Sequence, residues 1–592
     1  MSRTTKAIDY ALSQHRKNKV EEEKAVMIPK AISEENNNTK VANISSKRIP
    51  YPDVVVNGGK IYQLVSSDKK KVIGNEIKIE DISESIDKNQ VTYLLSFSYK
   101  GTKKSVEIPR EKLGDKRGLI KEITQHGADA YEHNITGIIK HLVNQEEMYN
   151  KPITKVHHQV GWDKTADKLV FKHFKGVGIR SRYRGKLDIE PKGSHEAWED
   201  MIMTEVIGHT PLELALTIGF SSALVGMIGR KVDTRTLVVH IYGDSTEGKT
   251  TAAMLAVSPW GNPDSSVTGL VNDWNATSNA FFALLRNNSG LPVVFDESSM
   301  SDIGNFSNMI YKLASGREKN RMNKEAELEE QSKWETTTIS TGEHALTIKA
   351  NENAGIEMRI QEIGNITWTK DATNSDNIKQ SVLKHYGHAG KEFVAGLLEM
   401  GEERVLAKYN EHKALCKEAI KNKDKFVTRI SKKLAMLTTT AELVNDILGL
   451  DLNIEAIIEL LVKVEDEKVI NRDIGAKAYM KFLEQVEIHD SKFITDYGKP
   501  FGEVEVMQRY NEVWGKKEYY SQEEGKGLKE INIFPQKFKD IMQECGFEDY
   551  KIILKKWQDK GLLDHEADRL SRRKNITDGR KPVYVIKVRE EY

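Results

Sequence analysis

Three short apolar runs stand out against a polar chain, and each has the length of a buried strand. Leu237-Val238-Val239-His240-Ile241-Tyr242 is nearly continuous. Leu291-Pro292-Val293-Val294-Phe295-Asp296-Glu297 is broken only by Pro292 and closed by two acids. Glu335-Thr336-Thr337-Thr338-Ile339-Ser340-Thr341-Gly342-Glu343 is β-branched and ends in small polar residues. Helical composition follows the first run at Thr251-Ala252-Ala253-Met254-Leu255-Ala256 and precedes the second over 277–286. Strands alternating with helical stretches predict a parallel α/β core over about 205–371.

On either side the pattern changes. Alternating runs such as Ile61-Tyr62-Gln63-Leu64-Val65 and the segment 91–99 read as strands, and 112–126 and 131–149 read as helices, so an α+β module precedes the core. Residues 376–470 are helical throughout. Near the C-terminus a strand at 531–534, helices at 538–544 and 550–560 with Gly546 between them, a basic loop and a returning strand at 583–588 follow the order of a winged helix. The apolar segment 212–228 carries Glu213 and falls short of the roughly 20 residues of a membrane span, so we read it as a buried core helix. Residues 1–50 are too polar to bury much surface and read as a flexible arm. The expected segments are thus 1–50, 51–154, 155–375, 376–475 and 476–592, against a prior of roughly 150 residues per domain.

Charge and cysteine content narrow the classes. With 89 basic and 88 acidic residues, any nucleic-acid surface must come from local clustering. Two clusters qualify. Between 168 and 186 seven basic and no acidic residues are interleaved with Phe171, Phe174 and Tyr183, which suits a nucleic-acid backbone or a lysine-protected hairpin edge. From 551 to 592 there are 12 basic and 7 acidic residues, with Arg569, Arg572, Arg573, Lys574, Arg580 and Lys581 gathered on the expected wing. Cys416 and Cys545 alone give neither a disulfide framework nor a cysteine-rich zinc site, and with a polar N-terminus they suit a reducing cytoplasm.

The chemistry concentrates after the first strand. Gly243-Asp244-Ser245-Thr246-Glu247-Gly248-Lys249-Thr250 fits G-x-x-x-x-G-K-[ST] between a strand and a helix. The glycines let successive N–H groups point into one concavity at a helix N-terminus, which suits a polyphosphate; Thr251 continues the helix. Lys249 is expected to reach the β- and γ-phosphates of ATP and Thr250 to ligate Mg²⁺. Downstream, Asp296 is expected to hold Mg²⁺ through water and Glu297 to polarise the attacking water. The strand ending at Thr341 offers a hydroxyl beside the γ-phosphate, or is an ordinary core strand. Arg359 is a candidate to reach a neighbour's γ-phosphate, or pairs with Glu357 or Glu362. Gly316 followed by Arg317, Lys319 and Arg321 looks like a turn presenting cations at one edge of the sheet, to DNA in a central channel or to the next subunit's nucleotide, or is an ordinary surface turn. Arg429, on a helix opening at 426–437 that resembles a lid over the ATP site, is a candidate γ-phosphate sensor.

Taken together, residues 243–250, Phe295-Asp296-Glu297, Leu313-Ala314-Ser315-Gly316-Arg317, Ser340-Thr341-Gly342-Glu343 and Gly355-Ile356-Glu357-Met358-Arg359 resemble a family of P-loop helicase-like proteins encoded on bacterial mobile elements. In length and C-terminal layout the likeness is to the MCM-like replicative helicases of staphylococcal cassette chromosomes. The resemblance implies an α/β AAA+ (P-loop ATPase) core with an N-terminal α+β domain and a C-terminal winged helix. It also implies a homohexameric ring and 3′-to-5′ unwinding of DNA driven by ATP and Mg²⁺. The expected partners are single-stranded and forked DNA, with an element-encoded primase or polymerase as a further candidate. Position by position, Lys249 and Thr250 match the Walker A pair, Asp296 and Glu297 the Walker B pair, Thr341 the sensor-1 position and Arg359 the arginine finger. Sensor 1 in relatives is commonly Asn, and this strand ends Ser340-Thr341 instead. The rival expectation is a DNA-binding replication initiator or regulator that uses ATP as an assembly switch and does not unwind.

Overall fold

The computed structural model describes residues 49–588 apart from 67–68, 266–267, 276, 301–305, 319–330, 350–353, 422–425, 473, 497–511, 521–526, 548, 567–568 and 578. Lys319 and Arg321, and all but the end of the expected arm, lie outside these residues. The chain divides into two compact units, one running to Val462 and one starting at Lys463. The boundary expected at 475–476 falls instead inside a helix, Ile474–Ile488.

The first unit opens with a three-stranded antiparallel sheet, β1 (Val54–Asn57), β2 (Lys60–Ser66) and β3 (Lys69–Asn75). A five-stranded sheet follows, built on β4 (Lys78–Ser85), β5 (Gln90–Tyr99) and β6 (Thr102–Pro109), with helices α1 (Lys116–Thr124) and α2 (Ile135–Met148). Ile61, Tyr93, Leu95, Leu119 and Leu142 close one core between them. Two later strands complete this sheet: β7 (Thr154–His157) pairs parallel with β4, and the two-residue β10 (Arg182–Tyr183) pairs with β7. Between them β8 (Val160–Thr165) and β9 (Lys168–Lys172) form a hairpin. The boundary expected at 154–155 therefore falls within a hydrogen-bonded strand whose Val156 and His157 are buried.

Three of the seven cations in the basic stretch 168–186 are taken up by the fold, while Lys168, Lys175, Arg180 and Lys186 are exposed. Lys172 is buried against Asp87 and lies 2.5 Å from Asp163. Arg184 reaches Glu107 at 2.9 Å, and Arg182 lies over the Phe174 ring and pairs with Glu190. Carboxylates both near and distant in sequence pair with these three cations.

The core is a parallel sheet in the order β12-β14-β15-β11-β16, with β11 (Leu237–Tyr242), β12 (Val271–Asp273), β14 (Val293–Asp296), β15 (Thr337–Gly342) and β16 (Ile360–Gly364). A short strand, β13 (Asn288–Ser289), pairs with β8. β11 sits between β15 and β16, with Val239 opposite both Ile339 and Gln361, so its apolar residues are covered on both faces. Helix α3 (His195–Met201) precedes α4 (Thr210–Ile228). By length and composition α4 is apolar enough to cross a membrane, yet 89% of its apolar window is buried inside this unit. It packs on α5 (Lys249–Val257), the helix that follows β11; α6 (Ser278–Leu285) and α7 (Phe306–Ser315) flank β14 in sequence. Gly219 of α4 lies against Ala256, where any Cβ would collide with the Ala256 carbonyl. Helices α8 (Glu402–Ala419) and α9 (Val427–Leu448) pack together, and α9 lies along α4.

In the second unit β17 (Phe493–Asp496), β18 (Gly515–Tyr519), β19 (Leu528–Ile533), β22 (Gly579–Lys587) and β20 (Leu563–Asp564) form one sheet in that order. β21 (Arg572–Thr577) pairs with β22 to make a hairpin. Helices α10 (Pro535–Glu544) and α11 (Tyr550–Asp559) complete a helix-turn-helix whose turn holds Gly546 at φ +86°. Phe538, Ile553, Leu554 and Trp557 form its core with β19 and β22. The sequence pattern predicts these helices and the returning strand; β17 and β18 have no such signal.

Candidate nucleotide site

The parallel strands bring their C-terminal ends to one edge, where Tyr242, Gly342 and Gly364 lie side by side. From Tyr242 the chain turns through residues 243–248 into α5. Gly248 sits at φ +81°, and a Cβ there would meet the Thr369 hydroxyl at 2.6 Å, so both backbone and space require glycine. Trp368 N donates to Glu247 O (2.8 Å), and the Ser245 hydroxyl donates to Glu343 (3.1 Å). Lys249 is buried, with Nζ donating to the carbonyls of Gly243 (3.0 Å) and Asp244 (2.6 Å). Asp244, Ser245 and Thr246 are exposed at the mouth of the loop. The Thr251 hydroxyl lies 2.7 Å from that of Ser375.

Beside the loop, residues far apart in sequence converge. The Thr250 hydroxyl lies 3.1 Å from Asp296, 46 residues away. The Thr341 hydroxyl donates to the same carboxylate and accepts the Glu297 N–H at 2.9 Å. Sequence reasoning sets a hydroxyl from this strand beside a phosphate; in the fold it is held by both acids. Glu297 has φ +58°, an uncommon value for a side-chain-bearing residue, and its carboxylate accepts from the Ser299 N–H (3.2 Å) and hydroxyl. Beneath them the buried His240 ring contacts Ser340 (3.0 Å), which also accepts from Trp274. Ser299, Glu343 and Trp368 were missed by sequence reading, since only the folded loops reveal such contacts.

The two candidate arginines lie elsewhere. Ile360 pairs with Val238, near the start of β11, so Arg359 stands at the opposite end of the sheet from the phosphate loop. It is exposed, with its guanidinium 4.4 Å from the centre of the Tyr311 ring. Arg429 is at that end too. On the same helix, Lys433 Nζ donates to Ile360 O (2.7 Å) and Lys432 pairs with Asp233, four residues before β11. Arg429 is therefore not brought to its own phosphate loop, and α9 lies along α4 instead of covering the site. Arg317 follows Gly316 (φ +68°) at an exposed position beside Lys333.

On the C-terminal hairpin several expected DNA contacts are already paired. Arg572 reaches Asp564 (2.9 Å), Lys574 reaches Glu530 (2.6 Å) and Arg569 stands 4.0 Å from Glu566. Arg573 and Arg580 are exposed and make no ion pair with a described residue. Helix α11 turns Ile553, Leu554 and Trp557 inward and leaves Lys551, Ile552 and Lys555 exposed. Sequence reading placed the basic surface on the wing and missed this face, although its period was legible.

The donor set fits a nucleoside triphosphate with Mg²⁺. A lysine ammonium is folded over a glycine-bounded loop at a helix N-terminus, and beside it a hydroxyl and a carboxylate lie 3.1 Å apart, both oxygen donors of the kind Mg²⁺ takes. Sheet, loop and C-terminal unit define a P-loop protein carrying a helix-turn-helix domain. Its fold is that of a staphylococcal cassette chromosome helicase. The solved structure titled "SCCmec type IV Cch - active helicase" matches with a TM-score of 0.68 and 23% identity, over 91% of this chain and 98% of that one. Residues 59–334 match a domain of unknown function, DUF927, and residues 473–591 match the Cch helix turn helix domain. No curated protein matches the chain.

Proposed function

We propose that this chain is an ATP-dependent DNA helicase with an AAA+ core, working as a homohexamer with 3′-to-5′ polarity in the replication of a mobile genetic element. The observation that carries the reading is the convergence of Thr250, Asp296, Glu297 and Thr341 beside the phosphate loop. The sheet order, with β11 between β15 and β16, supports the AAA+ assignment. The likeness to a structure titled an active helicase, together with the helix-turn-helix match, supports DNA as the load.

ATP, when bound, supplies a γ-phosphoryl group for transfer to water. Lys249, now bonded to two loop carbonyls, would hold the phosphate oxygens, and Thr250 with Asp296 would hold Mg²⁺. Glu297 orients the attacking water and accepts its proton, with the Thr341 contact fixing its backbone. Arg359 faces away from its own loop, as an arginine acting on a neighbour's γ-phosphate must.

A strand-displacement assay on forked DNA with ATP and Mg²⁺ tests the proposal. Displacement by the unmodified chain but not by Lys249→Ala is expected. Binding and hydrolysis without displacement would instead favour an ATP-switched initiator or regulator.

A further inference from the structure

Four tyrosines among the described residues are exposed, out of 20 in the chain, and three lie in the N-terminal module: Tyr51, Tyr99 and Tyr131. Tyr51 is engaged by Lys140 above its ring. The other two present themselves together. Tyr99, 44% exposed at the tip of the β5–β6 hairpin, rests on Gly127, where any Cβ would strike the ring at 2.7 Å. Gly127 follows the C-terminus of α1. Thr124, the last residue of α1, donates through its hydroxyl to Ala130 O (3.0 Å), which brings the next residue, Tyr131, to the same end of that helix. Tyr131 is 48% exposed and lies parallel to the His133 ring, with centroids 5.8 Å apart and planes at 4°. Its backbone N–H donates to Asn134 (2.7 Å), which fixes where the ring emerges.

Cations border these rings. Lys100 stands over the Tyr99 ring at 5.5 Å. On α1, Arg117 and Lys121 are four residues apart and so share a face, with Lys116 beside them. All four cations are exposed, and none is ion-paired with a described carboxylate. Glu132, between Tyr131 and His133, is also exposed. Burial would explain a tyrosine in a core and ion pairing a surface lysine; neither explains this group. Exposed aromatic faces bordered by unpaired cations match what an unstacked strand offers, bases to stack and phosphates to neutralise.

We propose that Tyr99 and Tyr131 with Lys100, at the C-terminal end of α1, and Arg117 and Lys121, along the length of that helix, form a platform for single-stranded DNA outside the nucleotide-binding core. A duplex does not meet this surface in the same way, because its bases are already stacked. The choice of DNA over RNA rests on the helicase reading; the stacking surface itself does not.

The test uses the full chain and a fluorescent oligo-dT, alongside the same strand carrying 5-iododeoxyuridine. Photo-cross-links are expected at Tyr99 or Tyr131. Tyr99→Ala and Tyr131→Ala are each expected to weaken single-strand binding about tenfold, the scale of one lost base stack, with Phe at either position restoring it and duplex binding within about twofold. Arg117→Gln with Lys121→Gln should lower the salt slope of single-strand binding by about 1.4, or about 0.7 per lost phosphate contact. Cross-links confined to residues beyond 155, unchanged affinity in the Ala variants, or equal losses for duplex would overturn the platform. Tighter binding of oligo-rU would overturn the DNA assignment. Loss of strand displacement with tyrosine-dependent binding retained would count against the helicase reading and leave the platform standing.

Discussion

Thr341 is the residue whose position changes the reading most. Its hydroxyl ties Asp296 to the backbone of Glu297, so on the proposed function it organises both acids before any nucleotide arrives. Thr341→Val keeps the shape of the strand and removes the tie. It is expected to lower the rate of ATP hydrolysis by tenfold or more with nucleotide affinity nearly unchanged, a split that steady-state kinetics and a binding titration read separately. Thr341→Ser should retain most of the rate. Glu297 itself holds a left-handed backbone that costs about 1–2 kcal/mol for a residue of its kind. Asn tolerates that conformation and caps the short helical turn that follows. Glu297→Asn is therefore expected to abolish hydrolysis while raising the melting temperature. The phosphate loop and the acid pair were legible because each is a local string after an apolar run. The hydroxyl tie was not, because it joins two strands by register, and the sequence carries no mark of it.

Among the elements, β9 joins the two halves of the first unit. Asp87, in the turn between β4 and β5, accepts from the N–H groups of His158 and Gln159 (2.9 Å) and faces the buried Lys172. Burial pushes its carboxyl up, but Lys172 and the two N–H groups outweigh burial and hold it below the usual range. Its stabilisation is therefore present above the ordinary carboxylate value and lost as pH falls through the lower folded value. Asp87→Ala, which leaves Lys172 with Asp163 as its remaining carboxylate and the His158 and Gln159 N–H groups without their acceptor, is expected to cost about 1–3 kcal/mol at neutral pH, and the melting difference from the unmodified chain should narrow as the solution is made strongly acidic. Nearby, burial pushes His157 and His173 down to about 4. They stay neutral in the folded chain while the unfolded chain binds protons below about 6.5, so thermal stability should already decline between those values. Replacing either histidine with glutamine should flatten that decline. Two cations of the basic run at 168–186, Lys172 and Arg184, have partners Asp87, Asp81 and Glu107 that lie some 80 to 100 residues earlier. Periodicity reports which face of a strand is buried, and it does not report which distant carboxylate waits there.

Across the whole chain, the placement of Arg359 sets a condition on assembly. An arginine at the far end of the sheet cannot act on its own loop, so a mixture of Lys249→Ala and Arg359→Ala chains is expected to recover ATP hydrolysis that neither has alone. No recovery at any ratio would count against action between subunits. Three of the five core strands, β11, β14 and β15, were legible as apolar runs; the short β12 and β16, and the order in which all five lie in the sheet, were not. Nor was the extent of the N-terminal module, because β7 and β10 join its sheet from beyond an apparent change in composition. That joining decides how the chain can be divided. A fragment beginning at residue 155 would cut β7 near its start, remove its partner β4, uncover Val156 and His157, and leave the edge of β7 unpaired. Such a fragment is expected to aggregate on expression, and a protease acting on the native protein should spare this junction while nicking loops elsewhere.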